Sequence, residues 1–133
     1  GDDYLYGSDA KDSLTGGNGN DYLSGGNYGD DVLKGDAGND TLYGSANGNN
    51  RLIGGLGDDY VQGYYGNDTF VYALGDGNDT LGYQYSDEGD YLQTTEATLA
   101  AITQIETTGD INGNITFLKA FFNNGEALTI EGG

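Results

Sequence analysis

Acidic side chains recur along the first ninety residues at intervals of nine to eleven positions. The recurring position holds Asp3, Asp12, Asp21, Asp31, Asp40, Asn50, Asp59, Asp68, Asp79 and Asp90. The ligands that the chain can provide are oxygen atoms, because it contains no Cys or His that could bind zinc or copper. Ca²⁺ accepts about 6–8 oxygens in flexible geometry, whereas Mg²⁺ demands a stricter octahedron and gives up its water reluctantly. The pattern therefore predicts that these ten side chains bind calcium.

Glycines precede each recurring acid and can supply further oxygen ligands. Glycine adopts positive φ without steric cost, so a glycine-rich turn can direct several backbone carbonyls at one point. The carbonyls predicted to bind calcium belong to Gly17, Gly19, Gly26, Gly29, Gly38, Gly48, Gly55, Gly57, Gly66 and Gly77. We expect several calcium ions, about six to eight. Their charge would nearly balance the formal net charge of −18.

An apolar residue lies two places after each acid and indicates the elements that position the turns. These residues are Leu5, Leu14, Leu23, Leu33, Leu42, Leu52, Val61, Phe70, Leu81 and Leu92. Each unit therefore reads as a turn followed by a three-residue strand such as "YLS" or "TLY", whose middle side chain points inward. A strand this short needs neighbours. If two units form one coil of the chain, parallel strands stack into two sheets around an apolar column.

This stacking predicts which acids lie side by side, because unit n meets unit n+2. One edge would carry the pairs Asp3/Asp21, Asp21/Asp40, Asp40/Asp59 and Asp59/Asp79, and the other edge Asp12/Asp31, Asp31/Asn50, Asn50/Asp68 and Asp68/Asp90. Asn50 offers an amide oxygen without charge, so we expect the two sites beside it to be weaker. The extra residues Tyr28 and Asn47 fall in alternate units and would lie on one edge.

Composition excludes several functional classes. The 22 acidic residues outnumber the 4 basic ones, which argues against binding to nucleic acid or to anionic membranes. The absence of Cys and His excludes disulfides, a Ser-His-Asp triad and His-ligated zinc. No apolar run approaches the ~20 residues of a membrane helix, so we expect no membrane insertion. The repeated acids have equivalent surroundings and single out no catalytic pair, so we do not expect an enzyme. The same composition is also typical of a disordered acidic linker, but the repeat favours order.

The last forty residues differ from the repeats, which predicts a roll at 1–92 and a cap at 93–133. Strands are predicted at 102–108, 114–122 and 127–132, with a hairpin turn at "NNGE" and one helical turn at "TEATLAA". A cap would cover the open end of the roll. Its candidate core is Phe117, Leu118, Phe121, Phe122, Leu128 and Ile130. Alternatively, Phe121 and Phe122 would form a binding patch.

The repeats resemble a known family. "GGNGNDYLS" at 16–24 and "GGLGDDYVQ" at 54–62 match the nonapeptide G-G-x-G-x-D-x-U-x of RTX (repeat-in-toxin) proteins at every defined place. The resemblance covers about ten units over residues 1–92. It implies an all-β fold, a right-handed parallel β-roll with two nonapeptides per coil and Ca²⁺ in the turns. It also implies export by type I secretion from a Gram-negative bacterium, with folding outside the calcium-poor cytosol.

Two functions follow as alternatives. In the first, the chain is a folding module of a larger secreted toxin, adhesin or hydrolase, and it couples export to calcium-dependent folding. We expect such a chain to be a segment of a longer protein. In the second, calcium rigidifies an adhesion module whose outward tyrosines bind a glycan or a protein. Those tyrosines, Tyr4, Tyr6, Tyr22, Tyr43 and Tyr60, can equally be explained by cross-strand packing on an exposed sheet.

Overall fold

The computed structural model of the chain describes residues 1–83, 89–109 and 115–132, which form strands and one short helix. The strands of the repeats are β1 (Tyr4–Tyr6), β2 (Ser13–Asn18), β3 (Tyr22–Ser24), β4 (Val32–Ala37), β5 (Thr41–Tyr43), β6 (Arg51–Leu56), β7 (Tyr60–Gln62), β8 (Thr69–Val71), β9 (Thr80–Tyr83) and β10 (Tyr91–Gln93). They are followed by α1 (Glu96–Ala100), β11 (Ile102–Gly109), β12 (Ile115–Phe122) and β13 (Ala127–Gly132).

The repeats form a parallel β-roll, as the unit spacing predicts. Odd strands lie in the first sheet, in the order β1-β3-β5-β7-β9, and even strands form the second sheet, in the order β10-β8-β6-β4-β2. Each strand pairs in parallel with the strand two units on. In the first sheet, for example, Leu5 faces Leu23 and Leu23 faces Leu42. Two units therefore make one coil, and the predicted fold class is confirmed.

The apolar position of each unit forms a column between the two sheets. Leu23, Leu33, Leu42 and Leu52 are fully buried. The column continues through Val61, Phe70 and Leu81, which are also buried. Leu5 and Leu14 belong to the first coil and are only partly buried. One side chain from each of β1 to β9 thus fills the interior as a single column of apolar groups, whereas Leu92 of β10, predicted to belong to the column, is 36% exposed.

Three strands of the second sheet are longer than the three residues predicted. β2, β4 and β6 each contain six residues, because ladder pairing continues into the glycine-rich half of the next unit. Gly17 faces Asp36, and Asp36 faces Gly55. The prediction was wrong here because it treated every glycine-rich half as a turn outside the sheet. The expectation for the extra residues is confirmed, since Tyr28 forms a parallel bridge with Asn47.

The segment after the roll forms an antiparallel extension of the first sheet. β11 pairs with β12 and β12 with β13, and β13 then lies parallel to β9 of the roll. The three predicted strands, the turn at 123–126 and the helical turn are confirmed. Gly125 takes φ +91° in the hairpin turn. Across the described ranges, no helix is long and apolar enough to span a membrane.

Aromatic packing and backbone hydrogen bonds join the segment after β10, which is the predicted cap, to the roll. The buried ring of Tyr72 stacks on the ring of Phe122, with centroids 5.4 Å apart. The Tyr72 hydroxyl donates to the carbonyl oxygen of Gly77 at 3.0 Å. The backbone N–H of Thr129 donates to the carbonyl oxygen of Asp79 at 2.8 Å. Phe122 is therefore part of the junction and is not available for the alternative binding patch.

The other candidate cap residues differ in burial. Leu128 is buried, and Leu118 and Ile130 pack partly buried against the core. Phe121 is partly buried and lies under the ammonium group of Lys119, 5.2 Å from its ring centroid. The side chain of Phe117 lies outside the described part of the chain.

Phe122→Ala should destabilise the calcium-loaded protein more than Phe121→Ala. Removing the buried Phe122 ring leaves a cavity against Tyr72, which typically costs about 3–5 kcal/mol. Phe121 is the matched control, because it precedes Phe122 on β12 and is only partly buried. Urea unfolding in saturating calcium measures both changes. Equal losses would contradict the assignment of Phe122 to the junction.

Candidate metal centre in the stacked turns

The roll buries most of the recurring acids. Asp21, Asp31, Asp40, Asp59, Asp68, Asp79 and Asn50 are each at most 3% exposed. Carboxylates are rarely buried without a compensating partner, because burial removes the hydration of a charge. Asp3, in the first coil, is exposed, and Asp12 and Asp90 are partly buried. The buried acids of the interior coils therefore need a compensating partner more than the acids of the first and last coils do.

At eight of the ten recurring positions, one side-chain oxygen connects two coils. Oδ1 accepts a hydrogen bond from the backbone N–H of the corresponding residue in the preceding coil. On the first edge, the N–H of Asp3 donates to Asp21 (2.7 Å), that of Asp21 to Asp40 (2.7 Å), that of Asp40 to Asp59 (2.8 Å) and that of Asp59 to Asp79 (3.1 Å). On the second edge, the N–H of Asp12 donates to Asp31 (2.8 Å), that of Asp31 to Asn50 (3.2 Å), that of Asn50 to Asp68 (2.8 Å) and that of Asp68 to Asp90 (2.8 Å). These are the pairs that the two-unit coil predicts.

The second oxygen of five buried acids has no hydrogen-bond partner among the described residues. These atoms are Oδ2 of Asp21, Asp31, Asp40, Asp59 and Asp68. Leaving a buried acceptor unsatisfied costs about 1–3 kcal/mol, and more when the group is charged. Five such atoms at equivalent positions are a repeated feature of the roll. They require something that the protein atoms do not supply.

Each of these oxygens faces a glycine at the start of its turn. A methyl group at Gly35 would collide with Oδ2 of Asp40 and with the carbonyl oxygen of Gly54 in the next coil. The two oxygens therefore face the same small volume, with no hydrogen between them. The other four Oδ2 atoms also lie against the glycine that begins their turn, at Gly16, Gly25, Gly54 and Gly63, but the facing carbonyl oxygen is found at Gly35. Facing acceptors repel each other unless a cation lies between them, and a hard cation with oxygen ligands fits this donor set.

Two turns on the second edge satisfy themselves with hydrogen bonds. In one, the amide Nδ2 of Asn50 donates to Oδ1 of Asp68 at 2.9 Å and to the carbonyl oxygen of Gly48 at 3.2 Å. In the other, Oδ2 of Asp12 accepts from the backbone N–H of Ser8 at 2.6 Å and from its hydroxyl at 3.1 Å. The Asn50 amide group occupies the place against Gly44 that Oδ2 occupies elsewhere. Here N–H and O–H groups donate the hydrogen bonds that the other turns lack.

The glycines predicted to bind through their carbonyls mostly have the expected backbone conformation. Nine of the ten, all except Gly48, have φ between +104° and +134°. The consequence is clear at Gly38, where a methyl group would collide with the carbonyl oxygen of Gly19 in the preceding coil. Gly48 departs from the expectation because Asn50 and Ser45 hold its turn through side-chain hydrogen bonds. No three acidic side chains converge in the described ranges, so carbonyls must complete any ion's shell.

Comparison with known families agrees with this geometry. The profile of the RTX calcium-binding nonapeptide repeat (4 copies) matches residues 1–27, 25–47 and 46–81. The chain belongs to the RTX calcium-binding repeat family. A solved structure that resembles the RTX chain is the extracellular lipase LipA from Serratia marcescens, at 17% sequence identity and a TM-score of 0.45. That match covers 100% of this chain and 38% of the lipase chain. No curated protein matches the sequence significantly.

The RTX turns contain a second ladder that the sequence analysis missed. Seven residues that directly precede a recurring acid position each accept, through Oδ1, a backbone N–H from the next coil. On the first edge, the acceptors are Asp2, Asn20, Asn39 and Asp58, and Asp58 accepts from Asn78. On the second edge, the acceptors are Asp30, Asn49 and Asn67, and Asn67 accepts from Gly89. The available signal was the regular Asn or Asp at this position. The prediction considered only the acids and therefore missed this second ladder.

Burial changes the proton affinity of the RTX acids. Desolvation raises the pKa of Asp59 and of Asp68 to about 6, and that of Asp79 to about 8. The neighbouring charges of Asp40 and Asp59 add to the rise at Asp59 and Asp79, respectively. Desolvation also raises the pKa of Asp31 and of Asp40. Without a cation, the folded roll thus favours protonated acids.

The calcium-free protein should therefore be more stable in mild acid than at pH 8. Unfolded Asp has a pKa of about 3.9, whereas folded Asp59 and Asp79 titrate at about 6 and about 8. The folded chain binds more protons than the unfolded chain between these values, so its free energy of unfolding falls as pH rises from about 4 to about 8. Far-UV circular dichroism of the calcium-free chain at several pH values measures this change, as a residual sheet signal that declines between mild acid and pH 8.

A matched variant separates this effect from the overall negative charge. The double variant Asp59→Asn/Asp79→Asn cannot titrate at either position and should show a smaller fall in stability over the same pH range. An unchanged slope would assign the pH dependence to net charge. A wild-type stability that rises with pH would contradict the raised pKa values.

Gly35→Ala should weaken calcium binding without removing a ligand. The φ angle of Gly35 lies outside the left-handed region, so alanine suits the backbone. Its methyl group would nevertheless collide with the oxygens of Asp40 and Gly54. We expect the calcium midpoint to rise roughly tenfold or more, or about 1.4 kcal/mol. Isothermal titration calorimetry measures the change. Gly82→Ala is the control, because its nearest neighbour would be the Tyr60 hydroxyl at 3.1 Å; equal effects would refute the shared volume.

Proposed function

We propose that this RTX chain is a non-catalytic module that folds as calcium fills its turns and that it belongs to a larger secreted protein. The observation that carries the proposal is the set of five buried Oδ2 atoms without partners, of which Asp40 Oδ2 faces a carbonyl oxygen across Gly35. Ca²⁺ bound there would satisfy these oxygens, as the neutral donors of Asn50 and Ser8 do through hydrogen bonds in their own turns. Carboxylates and backbone carbonyls of neighbouring coils would be its ligands.

Calcium binding and folding would be coupled because no single turn builds a complete site. Oδ1 of Asp40 holds the backbone of Asp21, while its Oδ2 faces Gly54 of the following coil. One acid thus connects three successive coils of the first edge. An ion bound at this acid would order the coils on both sides, and those coils would prepare the next sites. This linkage supports cooperative folding.

The number of ions should follow from the unsatisfied oxygens. Five turns carry an Oδ2 without a partner, so we place the tightest sites at Asp21, Asp31, Asp40, Asp59 and Asp68. The self-satisfied turn of Asn50 supports weaker binding beside that residue, as its missing charge suggests. The remaining sites in the expected total of about six to eight would be weaker and nearer the ends.

The cellular role would follow from the difference in calcium concentration between compartments. Extracellular modules commonly bind calcium with Kd of about 10⁻⁴–10⁻³ M, well above the concentration that a cytosol maintains. A roll tuned to that range would stay unfolded before export and fold outside the cell. We propose export from a Gram-negative bacterium by type I secretion. The larger protein would be a toxin, an adhesin or a hydrolase.

Calcium titration followed by far-UV circular dichroism tests the proposal. At pH 8 the chain should lack sheet signal without calcium and gain it in one cooperative transition, with a Hill coefficient above one. Magnesium at the same concentrations is the control and should produce little signal, since it retains its water. A sheet signal that is complete before calcium is added would refute calcium-driven folding.

Interior acids should contribute more than terminal ones. Asp40→Ala removes a buried carboxylate that accepts the N–H of Asp21 and faces Gly54, whereas Asp3→Ala removes an exposed side chain of the first coil. We expect Asp40→Ala to raise the calcium midpoint roughly tenfold, or about 1.4 kcal/mol. Asp3→Ala should raise it less than threefold, or about 0.7 kcal/mol. Equal shifts would contradict the sharing of each acid between coils.

A second candidate function, adhesion, is favoured by a ladder of tyrosine rings on the first sheet. We define the tyrosine face as Tyr4, Tyr6, Tyr22, Tyr43, Tyr60 and Tyr64; its neighbouring ring centroids lie 5.6–6.0 Å apart. Tyr4 and Tyr6 are 75% and 68% exposed. Tyr64 takes φ +70°, which bulky residues rarely adopt, and its ring stacks on Tyr43. This continuous aromatic surface supports contact with a neutral glycan or a protein.

Binding to a glycan array after calcium loading tests the adhesion function. Tyr22→Ala and Tyr43→Ala interrupt the ladder and should abolish any binding. Val32→Ala, on the outer side of the second sheet, is the matched control and should leave binding unchanged. The glycan-binding role of the tyrosine face would be contradicted if the calcium-loaded protein bound no glycan. It would also be contradicted if all three variants bound equally.

A further inference from the structure

An apolar cavity lies where the cap meets the last strands of the roll. Its volume is about 180 Å³. Its walls include Tyr72 of the roll, Phe122 and Leu118 of β12, and Leu128 of β13. Tyr72, Phe122 and Leu128 are buried, so the walls are part of the packed core. The cavity is therefore built by the junction, and its lining includes none of the ten recurring acid positions.

The cavity opens beside the end of the second sheet. β10 is the last strand of that sheet, and in the described ranges no further strand pairs with it, whereas β13 continues the first sheet. The opening is bordered by Leu92, Leu99 and Ile105, which are 36%, 55% and 56% exposed. Large apolar side chains grouped around an opening mark a binding site more often than isolated ones do.

One hydroxyl inside the cavity has no partner. Thr94 lines the cavity, and its Oγ1 is buried without a hydrogen bond to any described residue. The nearby Thr98 hydroxyl, by contrast, accepts from the backbone N–H of Leu74 at 3.0 Å and lies 2.9 Å from Oγ1 of Thr95. An unpaired buried hydroxyl costs free energy that a ligand's polar group can recover.

We propose that this cavity binds a small uncharged molecule with an apolar ring or short alkyl chain and one hydroxyl group. An apolar cavity of ~150 Å³ accommodates benzene, so the present volume suits a single ring or a chain of comparable size. The apolar body would contact Leu118, Phe122 and Leu128, and the hydroxyl would pair with Thr94 Oγ1. The net charge of −18 disfavours an anionic ligand such as a fatty-acid carboxylate.

Three probes of similar size distinguish the parts of this proposal: phenol, toluene and benzoate. Each is titrated into the calcium-loaded full chain, and methyl NMR shifts of Leu99, Ile105 and Leu128 report occupation of the cavity. Phenol should give saturable shifts at these methyl groups and bind roughly tenfold more tightly than toluene, because it alone pairs with Thr94. Benzoate should bind more weakly than either. Absence of saturable phenol shifts would overturn the proposal.

Variants of the cavity wall separate filling from hydrogen bonding. Thr94→Val should lower phenol affinity roughly tenfold and leave toluene affinity within about twofold. Thr15→Val, on an exposed position of β2, is the matched control and should change neither. Ala120→Leu fills the cavity and should abolish both interactions, with circular dichroism in calcium as the check of folding. If Ala120→Leu does not fold, the Thr94→Val comparison decides alone; equal phenol affinity in wild type and Thr94→Val would refute the role of the hydroxyl.

Discussion

The roll depends on buried carboxylate oxygens that have no hydrogen-bond partner among the described residues and that lie against the glycines beginning their turns. In the turn that ends at Asp40, a buried carboxylate oxygen and the carbonyl oxygen of Gly54 border the same volume at Gly35. Protein atoms alone make this arrangement repulsive, and burial adds the cost of desolvating the charge. A divalent cation reverses the sign of the interaction. The absence of a side chain at Gly35 is what allows the oxygens to approach.

The two oxygens of one carboxylate have different roles in the stacking of the coils. Oδ1 of Asp59 accepts the N–H of Asp40 and fixes the register of adjacent coils, while Oδ2 stays available for an ion. The turns of Asn50 and Asp12 provide an internal comparison, because their own N–H or O–H groups satisfy the same position. The interior column of single Leu side chains then needs only to fill the space between two sheets whose spacing the turns determine.

The periodicity was sufficient to predict the roll, the apolar column and the neighbouring acids, because each depends only on the distance between equivalent residues. The six-residue strands were missed because glycine was treated as a turn residue, although Gly17 and Gly55 continue the ladder. The conformation of Gly48 could not be predicted, since it depends on where the Asn50 amide points. The cavity could not be predicted either, because Tyr72, Thr94 and Phe122 are distant in sequence and are brought together by the pairing of β13 with β9 and of β11 with β12.

The most direct test of the cation requirement is an anomalous difference map from crystals grown with calcium. The map should contain a peak between Oδ2 of Asp40 and the carbonyl oxygen of Gly54, with equivalent peaks beside Oδ2 of Asp21, Asp31, Asp59 and Asp68. The position of the Asn50 amide group against Gly44 should contain none. No peak beside Asp40, or a peak of equal height at the Asn50 amide, would contradict the central role of the unsatisfied oxygens.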